Sequence, residues 1–410
     1  MTMPTKPLAE VTTHLSSGIS RPFYDQPVGR PVLRSTNVKN SSIVLDEVKY
    51  WHDEDPRGAN LEIVSPQIGD VLVNFVNGSA SELGKAALFL GLPEGCIVTT
   101  NLFIVRFNDN EVLAKFASYY FQSDLYKEWL HVNAGFSGQG SFNKSDFSRL
   151  QFPCPSMSEQ EKISSVLDAW DQAIKKLNTL RALNIRRRVW LRTQLFTGRV
   201  RLPGFTGEWR KVSMSGILIE HGSKSTGSEE VYSVSVHKGL VNQIEHLGRS
   251  FSAANTDHYN RVLPGDIVYT KSPTGDFPLG IIKQSKIDSE VIVSPLYGVF
   301  TPQSYALGVI LDALFESPLA ARNYLHPLVQ KGAKNTISVT NKQFLEGKLH
   351  LPMDPDEQAA IADVVNASHA EKACIDAEIE ALTRQKRGLM QKLLTGEWRV
   401  EVSDDEEAVA

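Results

Sequence analysis

Two stretches of this chain are near-copies of one another, and each carries its own start and stop signals. The first opens Ser158-Glu159-Gln160-Glu161-Lys162-Ile163 and stops at Leu195-Phe196-Thr197-Gly198. The second opens Asp356-Glu357-Gln358-Ala359-Ala360-Ile361 and stops at Leu393-Leu394-Thr395-Gly396. From Glu-Gln to Thr-Gly they align without a gap. The pattern predicts two long helices of about 38 residues, roughly 57 Å each at 1.5 Å per residue, with a globular block before each. A chain of 410 residues exceeds one ordinary core and suits two domains plus spacers. The expected organisation is a first domain over 1–156, a first spacer helix over 157–201, a second domain over 202–353, a second spacer helix with a closing segment over 354–400, and an acidic tail over 401–410.

The helix signals are specific. Ser158 with Glu161 reads as a capping box, and Asp354-Pro355-Asp356-Glu357 offers an N-cap Asp, Pro at N1 and Glu at N3. Each helix ends on Thr-Gly, with a glycine free to take the left-handed conformation. The second helix spaces Ile361, Val365, Ser368, Lys372, Ile375, Ile379, Leu382, Lys386, Leu389 and Leu393 by alternating fours and threes, a coiled-coil seam with three polar interruptions. The first follows the same rule at Ile163, Leu167, Trp170, Ile174 and Leu177, slips near Leu180–Asn184, and resumes at Leu191 and Leu195. Matching lengths and ends favour an antiparallel pair over two independent surface helices.

Composition narrows the function classes. Hydrophobic content of 41% and charged content of 22% are those of a globular chain. No apolar run of about eighteen residues is present, and the N-terminus lacks the apolar stretch of a signal peptide. Cys96, Cys154 and Cys374 are far apart and make no metal-type spacing, so a reducing cytoplasm is the expected location. The net charge of −4 hides an asymmetry. Residues 157–201 carry 10 basic and 4 acidic side chains, whereas residues 356–410 carry 6 and 13. That contrast could pair the two helices or attract nucleic acid.

The blocks before the helices consist of short Val/Ile/Phe runs bounded by turn residues, and they align loosely with each other. Gly69-Asp70-Val71-Leu72-Val73 matches Gly265-Asp266-Ile267-Val268-Tyr269, Ile97-Val98-Thr99 matches Ile292-Val293-Ser294, and Phe116–Ser123 matches Leu311–Ser317 as a short helix. A shared scaffold with differing loops is what two binders of different targets require. Catalytic signatures are missing from the sequence. There is no phosphate-binding loop, no dinucleotide glycine fingerprint, no HExxH and no Gly-x-Ser-x-Gly elbow. An Asp/Asn-Pro-Pro-aromatic tetrad of amino-methyltransferases is also missing, and Asp46-Glu47-Val48-Lys49 lacks the upstream carboxylate of a nuclease. Neither a metal nor a cofactor is expected in this chain.

What remains is small polar loops with interspersed aromatics: Ala134–Asn143, Asn74–Ser79, Lys271–Asp276 and Lys331–Thr336. Their Ser137, Gln139, Asn143, Asn77, Ser79, Lys271, Ser272, Thr274, Lys334, Asn335 and Thr336 are side chains of the kind that hydrogen-bond base edges and phosphates. The same residue types dominate ordinary turns, so residue type leaves both readings open.

The duplicated Glu-Gln helix start, Thr-Gly stop and Gly-Asp strand, with Val231-Tyr232-Ser233-Val234-Ser235-x-x-Lys238-Gly239-Leu240-Val241, resemble the specificity (S) subunit of type I restriction–modification systems along essentially the whole chain. The resemblance implies an α/β (α+β) fold with two pseudo-symmetric target-recognition domains joined by two long antiparallel coiled-coil helices. It implies that each domain reads one half of a bipartite DNA site and that the helices set the spacing and dock two methyltransferase (M) subunits. The resemblance implies that S-adenosylmethionine enters with the methyltransferase subunits and ATP with restriction (R) subunits. The seam expected to face its partner helix comprises Ile163, Leu167, Ile174, Leu177, Leu191, Ile361, Val365, Ile375, Ile379, Leu382 and Leu389. Competing readings are an interaction scaffold that never touches DNA, and a methyltransferase or nuclease with an unrecognised site. Two further expectations are open to test: Arg186–Arg188 contact the DNA backbone or else face solvent or the acidic last helix, and Gly396–Val400 docks near Leu8–Val11 with Trp398 placed as Trp209 is in the second domain.

Overall fold

The computed structural model describes residues 3–52, 57–79, 81–92, 95–135, 140–247, 256–331 and 337–401. It divides into two compact units, Met1–Asn178 with Glu378–Ala410, and Thr179–Ala377. The division falls inside both long helices, so each unit holds one globular block and one half of each helix.

In the first unit a four-stranded antiparallel sheet runs Thr12–Ser17, Leu102–Phe107, Val71–Asn74, Ala86–Leu88 in spatial order. Strand Leu102–Phe107 is buried on nearly all of its length and belongs at the centre. Beside it, Ile97–Val98 pairs in parallel with Arg30–Leu33, which also pairs with Lys49–Trp51. Two short helices, Ala114–Tyr120 and Asp124–Asn133, cover the sheet. Thr5–Pro7 pairs with Gln151–Pro153, the strand that leads directly into the first long helix.

The second unit repeats this plan. Its sheet runs Leu218–Ile219, Gly298–Pro302, Ile267–Tyr269, Ile282–Gln284, the same spatial order built from corresponding segments. Helices Tyr305–Phe315 and Pro318–Leu325 follow, and Trp209–Ser213 pairs with Lys348–Pro352 ahead of the second long helix. The segment Val231–Val241 is a hairpin of Tyr232–Ser235 and Gly239–Asn242. The short helix expected in each block is present as Ala114–Tyr120 and Tyr305–Phe315, and a second follows it, capped by Ser123 and Ser317, whose Oγ atoms accept from the Tyr126 and Ala320 backbone amides; a serine N-cap satisfies amide donors that a helix start leaves unmade.

The long helices run Met157–Phe196 and Pro355–Thr395. The first cap lies two residues earlier than the sequence suggested. Ser156 N and Glu159 Oε2 are 3.2 Å apart, and Glu159 N donates to Ser156 Oγ at 3.3 Å, the reciprocal geometry of a capping box. In the second, Asp354 Oδ1 accepts from Asp356 N at 2.9 Å with Pro355 at the first helical position. Gly198 (φ 66°) and Gly396 (φ 75°) terminate the helices in the left-handed region, as a C′ glycine does.

The helix ends are buried in the domain cores. Ile163, Leu167, Met390, Leu393 and Leu394 share one core with Leu8, Phe116 and Phe152 in the first unit. Ile361 enters the core of Met214, Phe315 and Leu351 in the second, with Phe196 and Leu202 packed against it. Each such aliphatic side chain contributes about 1.5–3 kcal/mol by burial. Farther from the ends, Ile375 is buried, while Ile174, Leu177, Leu191, Val365, Ile379, Leu382 and Leu389 are half-buried.

Within each unit the helix halves run antiparallel. Lys386 Nζ meets Asp171 at 2.6 Å in the first unit; in the second, Arg181 meets Asp376 at 2.7 Å and Arg187 pairs with Glu371. The slip expected near Leu180 is chemical, not geometric. The four-three spacing continues from Leu177 through Arg181, Asn184 and Arg188 to Leu191 and Leu195, and the polar residues occupy the seam. Asn184 is only 3% exposed, whereas Leu183 is 55% exposed. Of the basic triplet, Arg187 faces Glu371 of the last helix and Arg188 lies 3.4 Å from Glu316, while Arg186 is exposed.

Candidate nucleic-acid interface

The repeated Gly-Asp is a structural turn that aims the loop after it. Gly69 (φ 95°) and Gly265 (φ 87°) occupy a conformation that favours glycine. Asp70 is buried and takes a bidentate pair from Arg106, with Nε and Nη2 each donating at 2.8 Å, plus the Gln67 amide at 2.7 Å. Asp266 occupies the same place with different partners: Thr301 Oγ1 at 2.7 Å, the Leu263 amide at 2.8 Å and His221 Nε2 at 2.9 Å. A buried carboxylate with this many donors fixes the strand that follows, and each such strand leads straight into a candidate loop.

In the first unit those loops converge. Val76–Asn77 pairs with Gly140–Ser141, which draws the Asn74–Ser79 loop against the segment ahead of the first long helix. Asn77 Oδ1 accepts from the Ser79 amide at 3.0 Å, and Ser79 lies exposed with its hydroxyl 2.9 Å from that of Ser81. Behind them Phe75, Phe103, Phe142 and Phe147 form a stacked core, with Phe75 and Phe103 ring centroids 3.7 Å apart. These aromatics support the loops instead of offering stacking faces. Asn143 departs from expectation, since its Oδ1 accepts from Asp146 N at 2.8 Å to cap the helix Lys144–Ser148, and its Nδ2 donates to Asp146 Oδ2. Ser137 and Gln139 lie outside the described residues.

In the second unit the loop after Tyr269 is a tight turn. Thr274 and Phe277 exchange backbone hydrogen bonds at 3.0 and 2.9 Å, Phe277 is buried, and Ser272, Pro273, Thr274 and Asp276 are exposed. Lys271 adopts φ 60°, a strained conformation for a side-chain-bearing residue of the kind that concentrates at binding sites. Its half-buried ammonium is held below the ordinary lysine value by desolvation, partly offset by Glu220. Lys334, Asn335 and Thr336 lie outside the described residues, between the paired strands Gln330–Lys331 and Ile337–Ser338.

Sequence reasoning missed the pairs that lock the helix starts. Arg201 grips Glu357 bidentately, at 2.6 and 2.7 Å, while the Trp209 indole donates to the same carboxylate at 3.2 Å. Gln160 is fully buried; its Nε2 donates to the Glu111 and Pro155 carbonyls, as Gln358 Nε2 donates to that of Pro352. The signal was the Glu-Gln pair with an arginine four residues after each Thr-Gly threonine, Arg201 and Arg399. In the Asp46–Lys49 stretch, Lys49 pairs with Asp25 and Asp46 lies 3.8 Å from Lys39. Among the described residues, no three His, Cys, Asp or Glu side chains converge to hold a metal ion, and no helix is long and apolar enough to cross a membrane.

The α/β scaffold is duplicated, with the same sheet order twice and different loops at equivalent places. Residues 26–184 match the family model described as type I restriction modification DNA specificity domain. The chain is 23% identical over 416 residues to a putative type I restriction enzyme MjaX specificity subunit of Methanocaldococcus jannaschii, covering 96% of this chain and 93% of the relative. Its fold is similar to that of the type I restriction–modification S subunit from M. genitalium (TM-score 0.55, 13% identity, 97% and 96% coverage). A second similar fold comes from a solved structure concerning complex assembly and conformational transition of the type I R-M system (TM-score 0.57, 15% identity, 97% and 98% coverage).

Proposed function

We propose that this chain is the specificity subunit of a type I restriction–modification system, that it reads a two-part DNA site, one part per domain, and that it does no covalent chemistry of its own. The observation that carries the reading is the one scaffold built twice with loops that differ where they emerge from the Gly-Asp strands. The first domain reads through Asn77 and Ser79 and the segment ahead of Gly140, and the second through Lys271, Ser272 and Thr274 and the segment ahead of Ile337. Methyltransferase subunits, bringing S-adenosylmethionine, dock on the long helices; ATP would enter with restriction subunits. The docking face on the first helix is supported by Leu183 and Trp190, one heptad apart and each more than half exposed, since such apolar side chains on one face mark an interaction site.

The test is to replace Lys271–Asp276 with an unrelated turn of equal length in the assembled complex and map methylated adenines. One half-site should change and the other stay. Loss of methylation with unchanged DNA binding, or no change in either half-site, would remove the second domain's loop from recognition. Incubating the isolated chain with labelled S-adenosylmethionine and DNA should give no transfer.

A further inference from the structure

The second unit contains a groove of about 870 Å³ whose walls are the first long helix, the second long helix and the turn Gly275–Phe277. Six Arg and Lys side chains line it against three carboxylates, with His237 and His369 in addition. Two of the three carboxylates, Glu316 and Asp376, are shared, which leaves positive charge over. Glu316 serves Arg188 and Arg192, both at 3.4 Å, as well as His369 at 3.1 Å. Asp376 serves both Arg181 at 2.7 Å and Lys372. Asp312, beside the groove, serves Lys286 at 3.0 Å and Lys283 at 3.9 Å. A concave surface with excess cations raises the local concentration of anions.

The first unit has a cleft at the corresponding place, about 760 Å³, between its sheet loops, the helix Ala114–Tyr120 and the first long helix. There the charges balance: Lys115 and Lys175 face Asp168 and Asp171. A second cleft of the first unit is lined by Lys85, Lys127, Lys386 and Arg387, whose partners Glu82, Asp124 and Asp171 lie beside it. The cationic groove also shares a wall with a candidate reading turn, since Gly275 and Asp276 line it.

We propose that this groove holds the phosphodiester backbone of DNA flanking the half-site read by the second domain, with Arg181 and Lys286 as phosphate contacts. The inference rests on the DNA-reading function above. Phosphate contacts position a protein without reading sequence, so the groove sets affinity and salt dependence and leaves the recognised bases alone.

The experiment is a salt-series titration of the complex assembled with its methyltransferase partner, on DNA containing its methylated site. Arg181→Gln and Lys286→Gln should each reduce the slope of log K against log [salt] by about one, with unchanged base preference. Asp376→Asn should bind two- to threefold tighter, an outcome that structural damage would not produce. Lys115→Gln, in the balanced cleft, should keep the wild-type slope. Phosphate ethylation should interfere beside the second domain's half-site. Wild-type slopes in both Arg181→Gln and Lys286→Gln, or an equal loss in Lys115→Gln, would overturn the groove while leaving DNA reading intact. A wild-type complex without affinity for DNA would overturn both.

Discussion

Arg399 Nη2 lies 2.9 Å from Glu159 Oε1, repeating in the first unit the contact that Arg201 makes with Glu357 in the second. Each arginine sits four residues beyond the Thr-Gly threonine of one long helix and pairs with the Glu of the Glu-Gln that starts the other. In the first unit the closure is reinforced by Met3 N donating to the Thr395 carbonyl and by Lys162 Nζ donating to the Glu401 carbonyl at 2.8 Å. The anticipated role of Trp398 is not what closes it. Trp398 is 52% exposed, with Lys392 Nζ 4.5 Å from its ring centroid, and strand register places Thr5 where the second domain has Trp209.

The two pairs should differ sharply in strength. Arg201→Ala strands a carboxylate that is almost wholly buried, and should cost about 3–5 kcal/mol. Arg399 is half exposed, and Arg399→Ala should cost no more than about 1 kcal/mol. Urea melts of the two variants check the ranking; equal losses would mean that the second unit gains nothing from its bidentate geometry.

Glu316 gives the second unit an acid limit. Burial pushes its carboxyl upward, but the hydrogen bond from His369, with the charges of His369, Lys283 and Arg188, outweighs burial and brings it down to about 2. A folded value below the unfolded one stabilises above the unfolded value, near 4.5, and the gain disappears as pH falls through about 2. Wild type should therefore exceed Glu316→Gln in stability on the order of 3 kcal/mol at neutral pH, with the gap closing between pH 4.5 and 2. A gap independent of pH would show that the carboxylate's charge plays no part.

Asn184 predicts a gain. Its Nδ2 and Oδ1 are buried without a hydrogen-bond partner, and an unpaired buried polar group costs about 1–3 kcal/mol. Asn184→Leu should raise the calorimetric melting temperature of the second unit. A fall would indicate that a water or a packing constraint holds the amide.

The unbroken four-three seam sets a rule for altering the spacer. A heptad inserted into both helices, after Asn178 and after Ala377, keeps the seam in register and adds about 10 Å to each, about three base pairs at 3.4 Å. Methylome mapping should show the gap between half-sites lengthened and the half-sites unchanged; a constant gap would remove the ruler role.

Much of this fold was legible because the chain states it twice. Helix stops with glycine and the Gly-Asp strands are local signals that tertiary packing only confirmed. The seam was misread at Leu180 because apolar periodicity ignores positions where Arg181, Asn184 and Arg188 keep the register with polar side chains. The closing segment was misread because the letters Gly-Glu-Trp align Trp398 with Trp209, whereas the helix stop aligns Arg399 with Arg201. The candidate site was less legible: Asn143 caps a helix with the same amide that could have read a base, and residue type cannot separate the two.

The way the units are threaded also fixes an order of events during synthesis. The second unit is one continuous stretch, Thr179–Ala377, whereas the first needs Glu378 onward, whose Met390, Leu393 and Leu394 fill the core around Phe116 and Phe152. Domains fold as their residues leave the ribosome, so the domain translated first is the one that finishes last. Until the second helix emerges, the first domain's apolar pocket stays open, and a nascent chain stalled near Ala377 would present a finished second unit beside an unfinished first.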